Sequence, residues 1–539
     1  MNTSFVSVLR APDHVFGATE SSPYRFEEER SASCDIKYEY KLSGDSAKVI
    51  VYPSGSPVKF LKLRFSGDMR SVESVFGDQW ERGGKDAYLE WRSVMPHRAL
   101  PWFCYARSGE RIAFYGVRVG AGCFAFWQID PHGVTLFLNL CSANFGTDLK
   151  EPLTACEVVE ATSLEGESAY SAAKRFSAML CPSPRLPGEP VFGVNNWYWA
   201  YGNISEETIL RETDYLMKMC KGTRHRPYMI IDDGWQKHRT FDALPYIGGP
   251  WLPNDRFSDM AKMAEEIHSK GAKAGIWFRP LLTKEAVPIE ARLIDYRGGV
   301  ILDPTHPFTL EKARSDAATL RGWGFDLIKH DFTTMDILGW QLSADQQTAK
   351  MCADDRRLFD NTVTTATAIK RLYMAIQEGA GDAEVIGCNT VGHLAAGIHS
   401  ISRIGCDTSG KCFEWTRRDG VNSMMRLPLN DTFFRADPDC AAFTEDVPAE
   451  ANLDFLEMCA LTGVTTLASV TPDILTESQL ARINSIFRLA DENTHRYGIK
   501  HYERCASPEI FLSEDGRAER AFDWERPYRG ARSSLEWLF

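Results

Sequence analysis

No cysteine of this chain stands three residues from another, so the Cys-x-x-Cys spacing of zinc ribbons and dithiol oxidoreductases is missing. The 14 cysteines are scattered. Several, such as Cys141, Cys388 and Cys459, sit inside apolar runs, where buried free thiols are the expected state. That usage predicts a reducing, cytoplasmic location. No stretch approaches the ~18 consecutive apolar residues of a membrane helix, so no membrane partner is expected. The first ten residues, Met1 to Arg10, lack a basic start followed by a long apolar segment, so no signal peptide is visible. There is no Lys/Arg block, and the net charge of −12 argues against a nucleic-acid partner.

What is present is ordinary for a globular protein, 44% hydrophobic and 25% charged. At 539 residues the chain is too long for one compact core, which predicts two or three domains. Aromatics reach 12%, with 14 tryptophans. Sugar-binding clefts use flat aromatic faces, but a large aromatic core gives the same count. The composition leaves the oligomeric state open and allows a homo-oligomer.

Residues from about 35 to 160 read as β. Ala47 to Tyr52 and Val134 to Leu138 are short, rich in β-branched and aromatic residues, and bounded by Gly, Asp and Ser turns. Such strands without intervening helices predict an antiparallel β-sandwich over 1–180. A helix over Ala169 to Leu180 leads to a Pro-rich linker at 181–190. Apolar strands then alternate with amphipathic helices. Met260, Met263, Ala264 and Ile267 share a helix face that stops at Gly271, and Leu480, Ile483 and Phe487 share another, with Thr476 and Gln479 as a capping box. Candidate strands fall near 193–199, 227–232, 273–278, 325–330, 384–388, 400–406, 430–435 and 464–469. Eight strands over that length predict a (β/α)8 TIM barrel, an α/β fold, spanning 191–495. The tail, 496–539, is expected to hold a short C-terminal β hairpin, from Glu509 to Leu512 and Ala518 to Phe522.

In such barrels the active site lies at the C-terminal ends of the strands. Six of these strands end in polar residues: Asn195-Asn196-Trp197, Asp232-Asp233-Gly234-Trp235, Trp277-Phe278-Arg279, Lys329-His330-Asp331, Cys388-Asn389-Thr390 and Arg403-Ile404-Gly405-Cys406-Asp407. A single Asp at a strand end is often a turn or cap residue, the expected role of Asp303 and Asp437. Six adjacent strands ending this way are harder to explain by turn chemistry. Lys329 and Asp331 are two apart and share a side of the strand, so the ammonium is expected to keep Asp331 ionised. Two carboxylates on opposing strand ends suit glycoside cleavage, with one an ionised nucleophile and the other a proton donor. Asp331 fits the first role and Asp407 the second. Arg403, four residues earlier, would orient Asp407 or bind a hydroxyl. Asp232 and Asp233 supply acceptors for polyol hydroxyls. Trp197, Trp235 and Trp277 offer apolar faces to a sugar ring, and core packing is the alternative for at least one of them.

The motifs Asn196-Trp197, Asp232-Asp233-Gly234-Trp235, Gly275-Ile276-Trp277, Leu302-Asp303-Pro304 and Lys329-His330-Asp331 resemble, in order, those of the melibiase-type α-galactosidases. These are the retaining enzymes of glycoside hydrolase families 36 and 27, with relatives such as raffinose synthase. The resemblance covers roughly residues 35 to 490. It implies Asp331 as nucleophile, Lys329, Asp232 and Asp233 as sugar binders, and Arg403 and Asp407 as an Arg-x-x-x-Asp pair whose Asp is the acid/base. It also implies residues lent by the N-terminal domain, with Asp78 and Trp80 as candidates. Asn389 stands where family 36 enzymes carry a Cys-Ser-Ser-Gly-Gly stretch, here Cys388-Asn389-Thr390-Val391-Gly392, and Cys406-Asp407-Thr408 replaces the usual Ser-Asp-Asn. Those departures touch the part of the pocket that reads the sugar and the leaving group.

The leading expectation is a retaining α-glycosidase for terminal α-galactosides, acting on a small carbohydrate without cofactor or metal. Glycosyl transfer between sugars, or a different sugar such as N-acetylgalactosamine, keeps the same site. A Mg²⁺ site on Asp232, Asp233 and Asp331 would compete with Lys329 and Arg403 for the same carboxylates. A non-catalytic sugar binder would have no need of both candidate carboxylates.

Overall fold

A computed structural model describes residues 5–21, 36–82, 89–96, 98–240, 245–339, 352, 355–492, 496–504 and 507–524. The N-terminal part forms two antiparallel sheets. One contains His14–Thr19, Val58–Ser66, Gly133–Asn139, Phe124–Asp130 and Leu100–Pro101. The other contains Tyr38–Ser43, Ser46–Val51, Leu153–Thr162, Arg111–Val117, Phe103–Ser108 and Ser74–Gly77. The period of two is visible in Val58–Ser66, where Leu61, Leu63 and Phe65 are buried and the residues between them are not. The sheets share one core, with the Trp127 ring 5.9 Å from Tyr115. The helix Ala169–Leu180 follows, as its sequence predicts, capped by the Ser168 side chain.

Beyond it lies a TIM-barrel-like domain. The parallel strands are Phe192–Asn195, Tyr228–Ile231, Lys273–Phe278, Leu327–His330, Glu384–Gly387, Ile401–Arg403 and Thr466–Val470, with two further segments, Arg435–Asp437 and Cys440–Phe443, between the last two. Neighbours in sequence pair in register around the sheet, and Phe192–Asn195 pairs with Thr466–Val470. Arg435–Asp437 pairs with the strand ending at Arg403, while Cys440–Phe443 pairs with Thr466–Val470. The seventh strand is therefore split at Pro438-Asp439, and its halves serve opposite neighbours. The expected strand at 430–435 starts five residues later. Asn430 instead uses its side chain to accept from the Ala436 amide, and Asp439 has φ +73°, which breaks the extended run.

These strands are short and buried on both faces, as helix-covered parallel strands must be. The helix Met260–Ser269 buries the predicted face, takes its N-cap from Asp259, and is followed by Gly271 at φ +102°. The capping box at Thr476 and Gln479 forms with reciprocal bonds of 3.0 and 3.3 Å. Near the C-terminus, Tyr497–Ile499, Ile510–Ser513 and Glu519–Ala521 make a three-stranded sheet, one strand more than the predicted hairpin. Among the described residues no helix is long and apolar enough to cross a membrane, and the described cysteines are free and buried.

The N-terminal sheets rest on the mouth of the barrel at strands five and six. Trp102 stacks on His393 with ring centroids 4.6 Å apart, and Asp78 pairs with Arg426 at 2.8 Å. The loop after Ser74–Gly77 thereby reaches the C-terminal ends of the barrel strands.

Candidate active site

Strand two ends in Asp232-Asp233, and both carboxylates are buried. Asp232 Oδ2 accepts from Lys329 Nζ at 2.6 Å and from Asn195 Nδ2 at 2.7 Å. Asn196 holds the Asp232 amide, at 3.0 Å. Burial alone would lower the Lys329 ammonium, but Asp232 opposite keeps it well above the usual lysine value. Asp233 Oδ1 accepts from Gln236 Nε2 at 2.6 Å, and its other oxygen lies 3.1 Å from Arg239 Nε. Burial pushes the Asp233 carboxyl up to about 6 against the pull of Arg239 and Gln236.

Asp331 follows strand four. Its Oδ2 accepts from Trp277 Nε1 at 3.2 Å and its Oδ1 from the Phe332 amide at 2.7 Å. Phe332 itself sits in the left-handed region, φ 63°. The Arg279 guanidinium lies 4.2 Å from the Phe332 ring centroid. Arg279 is itself fixed by a two-pronged bond to Asp336 at 2.5 and 3.0 Å. The expected salt bridge from Lys329 to Asp331 is therefore replaced by Lys329–Asp232, and an indole and a backbone amide orient Asp331. His330, between them, points the other way. Its Nε2 lies 3.1 Å from His399 Nε2, and burial lowers it to about 3.

Asp407 stands at the end of strand six with its side chain 47% exposed, open enough to exchange protons with water. Its Oδ1 accepts from Arg82 Nη1 at 2.8 Å and more distantly from Arg403 Nη2 at 3.4 Å. Arg403 is fully buried and bonds Asp439 Oδ2 at 2.8 Å and the Cys406 carbonyl at 2.5 Å. Asp439 also accepts from the Thr408 amide at 2.9 Å and from the Tyr198 hydroxyl. The break in strand seven thus supplies the carboxylate that anchors Arg403.

One cavity of about 210 Å³ brings most of these groups together. Trp197, Asp232, Asp233, Trp277, Lys329, Asp331, Arg403 and Asp407 all line it. Four other candidates do not. Trp235 is buried behind the wall, donating Nε1 to the Trp277 carbonyl at 3.0 Å and packing on Trp251. Asn389 turns away, its Oδ1 accepting from the Met335 amide at 3.1 Å and its amide bonding Glu81. Asp78 is taken up by Arg426. Trp80 packs edge-on against Trp102 and Phe124 in the N-terminal core. None of the four lines the cavity.

From the N-terminal part it is Arg82 that reaches Asp407 and Glu81 that reaches Asn389, immediately after the predicted pair, and neither lines the cavity. Arg239, Arg297 and Cys388 do line the cavity without having been singled out as ligand-binding. Cys388 Sγ receives Arg403 Nη1 at 3.3 Å, and burial pushes its thiol up. Arg239 and Arg297 come from loops after strands two and three, where only their positive charge was available as a signal. Among the described residues no group of three or more His, Cys, Asp or Glu could hold a metal ion.

No protein-family model matches the chain. Among curated proteins it is similar to a rice α-galactosidase, 25% identical over 144 residues, which is 26% of this chain and 29% of that protein. It is also similar to α-galactosidase A of Cellvibrio japonicus, 26% identical over 154 residues, 28% of this chain and 33% of that one. The matched stretch thus spans about a third of the relatives' length. Among solved structures, a Thermus thermophilus α-galactosidase in complex with p-nitrophenyl α-D-galactopyranoside superposes with a TM-score of 0.61 at 17% identity, over 90% of this chain and 96% of that one. A family 36 α-galactosidase of Geobacillus stearothermophilus in complex with 1-deoxygalactonojirimycin gives 0.59 at 12% identity, over 94% and 80%. The likeness to melibiase-type α-galactosidases read from the motifs holds in both sequence and fold, and the named relatives are glycoside hydrolases.

Proposed function

We propose that this protein is a retaining α-glycosidase that hydrolyses terminal α-galactosides. The observation that carries this reading is that Asp331 and Asp407, from the ends of strands four and six, face one small cavity whose floor is the Lys329–Asp232 pair. Support comes from the α-galactosidase relatives and from the galactoside bound in one of the structural neighbours. We read the barrel-like domain as a complete (β/α)8 barrel closed by the split seventh strand. We take residues 1–180 as a β-sandwich domain, 181–190 as a linker, 191–495 as the catalytic barrel and 496–539 as a short extension.

In this mechanism the Asp331 carboxylate, aimed by Trp277 and the Phe332 amide, attacks the anomeric carbon as Asp407 protonates the leaving oxygen. The glycosidic bond breaks and a β-linked glycosyl-enzyme forms. Asp407, now ionised, takes a proton from water as that water attacks the same carbon, and Asp331 leaves. Arg82 positions Asp407 and Arg403 restrains it. Asp232, Asp233 and Lys329 bind sugar hydroxyls, with Trp197 and Trp277 as apolar walls. The cavity is smaller than the ~300–1,000 Å³ of drug-sized sites, so it suits one ring rather than a chain of them.

The test is hydrolysis of aryl α-glycosides of galactose, N-acetylgalactosamine and glucose, followed by NMR. Galactoside turnover with α-galactose as the first product is expected, unaffected by EDTA. Asp331→Ala should abolish it while remaining folded. First release of the β anomer, or activity retained in Asp331→Ala, would sink the reading.

A further inference from the structure

A third carboxylate stands beside the two assigned to catalysis. Glu81, on the loop that brings Arg82 to Asp407, has a side chain only 13% exposed. It accepts a hydrogen bond from Asn389 Nδ2, and Arg82 Nε lies 3.8 Å from its Oε1. Asn389 in turn grips the helix that begins just after Asp331 and Phe332. Its Oδ1 accepts from the Met335 amide at 3.1 Å, and its carbonyl accepts from the Thr333 and Thr334 hydroxyls at 2.7 and 3.0 Å. Glu81 and Arg82 together therefore touch the supports of both candidate catalytic carboxylates, although the two come from different barrel strands.

We propose that Glu81 is a positioning residue that sets the gap between Asp331 and Asp407, holding the turn after Asp331 through Asn389 and steadying the Arg82 guanidinium on Asp407. The inference rests on the roles given to those two carboxylates above. A two-step displacement at one carbon tolerates little error in that gap, because the acid must meet the leaving oxygen while the nucleophile meets the carbon. The charged groups facing Glu81 are Arg82 on its own segment, Asp331 from strand four, and Arg403 and Asp407 from strand six. Burial pushes the Glu81 carboxyl up to about 7, opposed by Arg82 and reinforced by Asp331 and Asp407. Its charge therefore changes near neutrality, within reach of both catalytic groups.

Wild type, Glu81→Ala and Glu81→Gln should be compared on methyl α-galactoside, whose leaving group needs the acid, and on 4-nitrophenyl α-galactoside, whose leaving group does not. Glu81→Ala is expected to lose about tenfold or more in kcat on the methyl glycoside, where both supports count, and severalfold less on the aryl one, where only the support of Asp331 counts, with KM little changed. Glu81→Gln keeps an acceptor for Asn389 and should recover most of that kcat while losing the limb near pH 7 from the kcat profile. Equal losses on both substrates with an unaltered pH profile, or no loss, would overturn the proposal. If Glu81→Ala does not fold, the Glu81→Gln profile decides, and an unchanged limb overturns it. Failure of the underlying catalytic reading is seen separately, as turnover retained by Asp331→Ala in the same assays.

Discussion

Lys329 Nζ lies 2.6 Å from Asp232 Oδ2, joining strand four to strand two across the floor of the cavity. Their side chains are 9% and 5% exposed, so neither charge has water to replace its partner. Lys329→Ala would leave the Asp232 carboxylate buried with Asn195 as its remaining side-chain donor. The expected cost is about 3–5 kcal/mol in denaturant unfolding. Adding Asp232→Asn to that variant should recover part of the loss, because the orphaned charge disappears. A single variant within about 1 kcal/mol of wild type would show that the pair does not hold the floor.

Asp407→Ala separates the two chemical steps. Without the acid, methyl α-galactoside should lose about 10²–10⁴-fold in kcat, while an activated aryl galactoside still forms the glycosyl-enzyme. Azide needs no general base and enters from the face the leaving group vacated. It should therefore restore turnover of the aryl substrate and yield the α-galactosyl azide, read from its anomeric coupling. A β azide from this variant would mean that no covalent intermediate on Asp331 had formed.

The loop after Asp407 is fixed by backbone packing. A Cβ on Gly410 would fall on the Tyr198 carbonyl oxygen, which cannot move without disturbing the end of strand one. Gly410→Ala should cost about 1–3 kcal/mol of stability and reduce kcat with it, since Asp407 moves with the loop. Gly188→Ala, with no atom within 4 Å of the new methyl, is the control and should leave both unchanged. Thermal unfolding and kcat measured on the two variants decide it.

Asp232, Lys329, Asp331, Arg403 and Asp407 were legible in the sequence because each sits where an apolar run of buried strand gives way to charge. That is a local pattern with a local cause. Arg239 and Arg297 reach the cavity from loops, and Arg82 and Glu81 reach Asp407 and Asn389 behind it from another, and nothing in their neighbours fixes the direction of the side chain. Asp78 and Trp80 lie on the loop that brings Arg82 to Asp407, but both side chains are turned away from the cavity. Trp80 has its own aromatic core to join, and Asp78 has Arg426. Strand seven was misplaced because its two halves pair with different neighbours around Asp439, so neither shows the uninterrupted run that marks the other strands. The partner of Lys329 was misjudged for a related reason. Two residues on one strand share a side, but the shorter path to an ammonium led across the barrel.

Glu212 offers a test of burial by pH. It lies on the helix Glu206–Met219, fully buried, with Oε1 accepting from Trp199 Nε1 at 2.9 Å. Its Oε2 has no partner among the described residues. Burial raises the carboxyl to about 8, and the Trp199 bond offsets this only in part. The folded protein therefore holds this proton more tightly than the unfolded chain, whose glutamates ionise near ~4.3. Its contribution to stability is fully present below that value, falls as pH rises, and is exhausted once pH passes about 8. Glu212→Gln keeps the acceptor for Trp199 and cannot ionise. Relative to that variant, wild type should lose up to about 1.4 kcal/mol per pH unit across the window, with no further loss above it. Other buried groups titrate in the same range, among them Asp233, Glu81 and Asp419, but they are common to both proteins and cancel in the difference. Urea midpoints of the two proteins, measured at intervals through that window and beyond, give the difference directly. A gap that stays flat with pH would mean that Glu212 is already ionised in the fold and that Oε2 has a partner.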